Sequence, residues 1–199
     1  MYHLDHKITK IETGEYIQHY RNTEKFIVFC KQCKQYNSCW ACPPYDFDMD
    51  EYISSYNLVY IIGTKISLDN DFRKERTGVQ SCKDAAYQII KEVRSNLDIK
   101  LLHLEKRYRN SKVFFAGTCH RCPENECTRK SGNQCIYPDD IRYSLESFGF
   151  DIGKTTSELL HIDLKWSENG YLPEYFTLVS GLFTPYEIHE AEILNTFLI

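Results

Sequence analysis

The sequence predicts an α/β fold, a partly parallel sheet with helices packed on it, with an α+β arrangement as the alternative. Three observations carry this expectation. Strand-like and helix-like segments alternate along the chain, as they do when helices connect parallel strands. The run "LVYIIGTKISL" at 58–68 is the strongest strand in the chain. A long segment from about Gln80 repeats apolar residues at helical spacing. The 199 residues suffice for one domain, 1–199, with a buried core.

The elements follow in order. "FIVFC" at 26–30 is a β-branched and aromatic run that reads as a short strand leading into a cysteine loop. "MDEYISSY" at 49–56 reads as a short helix with Asp48 as its N-cap. After the strand at 58–68 and a polar loop, Ala86, Ile89, Ile90, Val93, Leu97, Leu101 and Leu104 give the long helix one apolar face, with a bend expected around 95–98. "KVFFAG" at 112–117 is a second strand that delivers a second cysteine loop. A helix is expected over 139–147, with Pro138 at its start. "YFTLVSGLF" at 175–183 is the last strand, and the terminal segment is an amphipathic helix with Ala191, Leu194 and Leu198 inward. Both cysteine loops then leave the C-terminal ends of strands, where open α/β sheets collect ligands. Parallel strands would bring the loops to one end of the sheet.

Eight of nine cysteines fall in two sets. Cys30, Cys33, Cys39 and Cys42 are spaced C-x2-C-x5-C-x2-C and run into Pro43 and Pro44. Cys119, Cys122, Cys127 and Cys135 are spaced C-x2-C-x4-C-x7-C. A C-x2-C pair lets two thiolates converge through one tight turn, and four thiolates complete a zinc site or the ligand set of an iron–sulfur cluster. The gap of five in the first set is too short for two separate zinc knuckles, so a cluster wrapped by a single loop is favoured there over zinc. The second set suits either. His120 stands between two of these cysteines, as a hydrogen-bond donor to sulfur, a substitute ligand or a plain loop histidine. Cys82 stands apart near the start of the long helix, as a packed thiol or a reactive one. Trp40, Tyr45 and Phe47 flank the first set and are placed to shield it from water.

With these residues in view, the chain resembles the small bacterial and archaeal "predicted metal-binding" proteins of unknown function. They pair a cysteine loop ending in C-P-P with a later cysteine cluster. The cluster leads into a segment that resembles "YPDDIRYSLESFGFDI" here, through Pro138, Arg142, Ser144, Glu146, Gly149 and Asp151. The resemblance covers about residues 26–183. It implies metal binding and names no reaction. In this chain four residues separate the second and third cysteines of the later set, and Ile136 follows the last, where the family more often has two residues and an arginine. On the expected helix Arg142 and Glu146 share a face, so that Arg142 offsets the charge of a nearby centre and Glu146 holds it, unless the two form a plain surface pair.

The net charge of −4 argues against bulk binding to nucleic acid. Lys31, Lys34, Arg121, Arg129 and Lys130 thread the cysteine segments nonetheless, to offset thiolate charge, to meet an anionic partner or as ordinary solvated loop residues. No apolar run approaches the roughly 20 residues that span a bilayer, and the charged N-terminal segment lacks the apolar stretch of a secretory signal. A cytoplasmic location is expected, with clustered cysteines there for metal and not for disulfides. The expected function is that of a protein with two [4Fe–4S] clusters that exchanges electrons with a redox partner protein, without a membrane. The alternative is an interaction module for protein or RNA held by two zinc ions, and an open-iron enzyme is a third possibility.

Overall fold

The structure, a computed structural model, describes residues 1–123 and 126–198. In chain order it runs β1 (Tyr2–Glu12), α1 (Thr13–Tyr20), α2 (Thr23–Gln32), α3 (Met49–Ser54), β2 (Leu58–Leu68), α4 (Asn70–Lys74), α5 (Val79–Arg107) and β3 (Lys112–Phe114). There follow α6 (Ile152–Lys154), which continues as a π-helix over Thr155–Leu160, then β4 (Tyr175–Thr184) and α7 (Glu190–Leu198).

The four strands lie in the order β1-β2-β4-β3, and every pairing between them is antiparallel. The fold is therefore α+β, which overturns the expected partly parallel α/β sheet. Two physical reasons account for the difference. Segment 26–30 is not a strand but part of α2, whose N-cap Asn22 accepts a hydrogen bond from the Lys25 amide at 2.8 Å. No residue of α2 is buried, so its β-branched and aromatic residues mark neither a core nor a sheet. Second, β2 and β3 do run in the same direction with α5 between them, but β4 enters the sheet between the two and is antiparallel to both. Alternation along a chain does not reveal such an insertion.

Period-two alternation along the strands gives the sheet two apolar faces. Tyr60, Ile62, Ile66, Leu182 and Val113 meet α5 and α7 on one face. Val59, Ile61, Val179, Phe183 and Phe114 meet Tyr16, Phe148, Phe150 and Leu160 on the other. Gly63 has no side chain for a concrete reason: a Cβ there would stand 2.7 Å from Leu160 Cδ1. The N-terminal alternation of charged and apolar residues is the period of β1.

Asp48 caps α3 as expected, accepting from the Asp50 and Glu51 amides at 2.7 and 3.1 Å. Helix α5 is unbroken through 95–98, where the Ser95 hydroxyl donates back to the Lys91 carbonyl at 2.8 Å. The helix expected over 139–147 does not form; only a 3₁₀ turn, Glu146–Phe148, lies there. The chain is instead held extended beside the continuation of β3, where Phe115 donates its amide to the Tyr143 carbonyl at 2.8 Å. In α7 the inward residues are Ile193 and Phe197, while Leu198 is exposed. The stacking of Phe197 on His6 (4.9 Å between centroids) sets that face.

Glu105, near the end of α5, organises this region. Its carboxylate accepts from Arg142 Nη2 at 2.6 Å and Nε at 2.8 Å, and from the Val113 amide at 2.9 Å. Burial alone would raise its pKa, but the hydrogen bonds from Arg142 and Val113 outweigh burial and hold it below its ordinary value of 4.5. A depressed carboxylate contributes stability that is complete above 4.5 and is lost as pH falls through the lowered value. Denaturant unfolding at a series of pH values should therefore show an acid limb below 4.5 that is shallower in Arg142→Gln. Identical limbs would show that Arg142 does not set the state of Glu105.

Candidate metal centre

The first cysteine loop starts inside α2. Cys30 lies in its last turn, and Cys33 caps it by donating its amide N–H to the Cys30 carbonyl at 2.9 Å. A series of turns follows, with Cys39 donating its amide to Gln35 O at 3.1 Å and Cys42 donating to Cys39 O at 3.0 Å. These turns carry Cys39 and Cys42 into the protein, where they are buried, while Cys33 stays exposed. The second loop leaves the continuation of β3 at Gly117, whose φ of +83° is open to glycine.

The two loops meet, delivered by α2 and β3 and not by a pair of parallel strands. Thr118 of the second loop shares a 2.9 Å hydrogen bond with Cys42 Sγ and donates to Cys39 Sγ at 3.5 Å. Cys39, Ala41 and Cys42 pack against Cys119, Cys127, Ile141 and Tyr143. Arg129 clasps the loops together. Its guanidinium donates to the Cys39 carbonyl at 2.9 Å and to the carbonyls of Cys42 and Pro44. It also lies over the Trp40 ring, 5.2 Å from the centroid, while Trp40 Nε1 donates to Asn133 O at 3.1 Å. Tyr45 and Phe47 lead the first loop into an aromatic cluster with Tyr143 and Phe148.

A cavity of about 390 Å³ opens between the loops, lined by Cys39 of the first set and Cys119, Cys122 and Cys127 of the second. Lys91, Arg94 and Lys130 give it a cationic wall. Cys30 lines a separate crevice of about 200 Å³ with Glu146. Thiols of both loops thus share the wall of one cavity. Among the described residues no three or more His, Cys, Asp or Glu side chains converge in ligand geometry. All nine cysteines are free thiols.

The thiols differ in acidity for identifiable reasons. The Cys42 thiol donates to Cys39 and, with Thr118 and the Ala41 amide, outweighs burial and lowers the Cys39 pKa. Cys42, as donor and buried, is raised. Burial pushes Cys119 up to about 11 and also raises Cys122, which the charges of Cys127 and Cys135 lift further. Crowded, buried thiols such as Cys42, Cys119 and Cys122, which resist ionisation, suit a thiophilic metal, whose positive charge removes that penalty. The donor set fits the group that the cysteine pattern implies.

The remaining candidates are placed as follows. His120 lines the cavity and binds buried Asp98, Nε2 to Oδ2, at 2.8 Å. Arg142 is committed to Glu105, and its expected partner Glu146 is exposed beside Cys30, so the two do not pair. Cys135 is partly buried and accepts from the Tyr137 amide at 3.4 Å. Cys82, in the first turn of α5, is buried, with its thiol donating to Gly170 O at 3.1 Å and Arg76 O at 3.4 Å, which is a packed thiol. Sequence reasoning missed Thr118, Arg94 and Asp98, and saw Arg129 only as a loop cation. The one available signal was an ionisable pair, Arg94 and Asp98, four apart and beside the apolar stripe of α5.

Among the described residues no helix is long and apolar enough to cross a membrane. No curated protein and no solved structure is similar enough to match. Residues 16–183, which contain both cysteine loops and the motif from Pro138 to Asp151, match the family described as "Predicted metal-binding protein" (DUF2284), and the chain belongs to that family.

Proposed function

We propose that this protein is an iron–sulfur protein that exchanges electrons with a redox partner protein, and that its principal centre occupies the cavity between the loops. One observation carries the reading: four thiols from two loops line a single space of about 390 Å³, far more than one ion needs. A zinc ion requires only a tetrahedron of bonds of about 2.3 Å to sulfur. A cluster held there would supply one-electron chemistry at a potential tuned by its surroundings.

The chain's own residues have recognisable parts in this reading. Hydrogen bonds from Thr118 and the Ala41 amide to Cys39 sulfur favour its thiolate and would raise a cluster's potential. Lys91, Arg94 and Lys130 offset the negative charge of a thiolate-bound centre. Cys30, Cys33, Cys42 and Cys135 do not line the cavity and remain as candidates for a second centre. The competing reading, an interaction module held by zinc, draws on the way Arg129 and Trp40 lock the two loops into one body.

The test is metal and sulfide analysis of protein prepared without oxygen. The expected result is a brown protein that dithionite bleaches reversibly. It should hold about four irons with matching sulfide, or about eight if the second centre also forms. A colourless protein holding zinc would overturn the iron–sulfur reading and support the module.

A further inference from the structure

Helix α5 turns two charged residues, one helical turn apart, toward the second cysteine loop. Arg94 donates to the Thr118 carbonyl, and Asp98 holds His120. Asp98 is 1% exposed, in the middle of a 29-residue helix. It therefore serves neither as a cap nor as part of a solvated face. Its Oδ1 is buried and has no hydrogen-bond partner among the described residues, so the fold tolerates a costly carboxylate whose one named contact is His120. His120 in turn stands between Cys119 and Cys122 and lines the same cavity as Cys39 and Cys127. With Nε2 held by Asp98, the other ring nitrogen, Nδ1, makes no hydrogen bond among the described residues. A carboxylate behind one imidazole nitrogen is the arrangement that fixes the tautomer and orientation of a metal-ligating histidine and raises its basicity.

We propose that His120 is itself a metal ligand, giving the centre a nitrogen donor through Nδ1 beside the cavity thiolates, with Asp98 as the positioning residue that presents it. The proposal rests on the reading that a metal occupies this cavity, and it replaces an all-cysteine ligand set by a mixed thiolate–imidazole one. An imidazole carries one negative charge less than a thiolate. At an iron–sulfur centre that substitution raises the reduction potential.

The experiment uses full-length apoprotein loaded with Co(II) as the probe, so that it does not depend on which metal the protein carries in the cell. X-ray absorption at the cobalt edge of the wild type should show sulfur together with nitrogen and the outer-shell scattering of an imidazole. His120→Ala should lose the imidazole signal and keep the sulfur. Asp98→Asn should keep the imidazole signal but bind Co(II) about 10- to 100-fold more weakly. An all-sulfur shell in the wild type, or imidazole scattering that persists in His120→Ala, overturns the ligand assignment. Wild-type affinity in Asp98→Asn overturns the positioning role. The underlying reading fails by a different sign: a cobalt shell without sulfur in the wild type, or a sulfur count unchanged in Cys39→Ser, places the metal outside this cavity and takes the proposal with it.

Discussion

Cys39→Ser is expected to remove essentially all metal from the cavity between the loops, because Cys39 is the one residue of the first cysteine set that lines it. Serine offers a harder and far less acidic oxygen, and the thiolate that Cys42 and Thr118 support at this position disappears. Cys33→Ser should leave the same centre intact, since Cys33 is exposed and does not line the cavity. Iron and sulfide analysis of both variants, prepared without oxygen, decides the matter. Retention of half the iron in Cys39→Ser would show that a second centre forms without Cys39. Full retention would show that Cys39 is not a ligand.

Gly149→Ala is expected to cost about 3 kcal/mol of stability. Gly149 has a φ of +85°, which side chains other than glycine adopt only with strain. A Cβ there would also stand 2.8 Å from Thr23 Cα, so backbone and not a flexible side chain would have to move. The Asn22 amide donates to the Gly149 carbonyl at 2.8 Å at this same junction, which seats the start of α2 on the core. Displacing α2 shifts the helix that carries Cys30, so metal content should fall along with stability. Denaturant unfolding of the metal-free protein separates the two effects. A loss below about 1 kcal/mol would show that the junction relaxes around the new methyl group.

The motif from Pro138 to Asp151 acquires a physical meaning from these contacts. Arg142 binds Glu105, and the Ser144 hydroxyl accepts from the Ser147 amide at 3.3 Å. Gly149 admits α2, and Asp151 caps α6 by accepting from the Lys154 amide at 2.9 Å. The segment returns the second cysteine loop to the core and fastens it there. Arg142, Ser144, Gly149 and Asp151 brace this segment, and none of them lines the thiol cavity.

The sequence by itself determined the cysteine inventory, the N-cap at Asp48, the strand at 58–68 and the helical stripe of α5. Each of these depends on neighbours in the chain: a C-x2-C turn, a capping side chain, a period of two or of 3.6. Only the tertiary structure decided what depends on distant partners. Segment 26–30 became a helix because Asn22 caps it and no sheet edge takes it up. The sheet became antiparallel because the last strand, β4, inserts between β2 and β3. Arg142 found Glu105, 37 residues away, instead of Glu146 one helical turn along. The meeting of the two cysteine loops was decided in the same way: spacing counts bonds along the chain, whereas the loops are held together by Thr118 and Arg129 reaching across 76 to 90 residues to Cys42 and Cys39. Those contacts leave no trace in any local pattern, because hydrogen bonds between loops are made only once the core has brought the loops together.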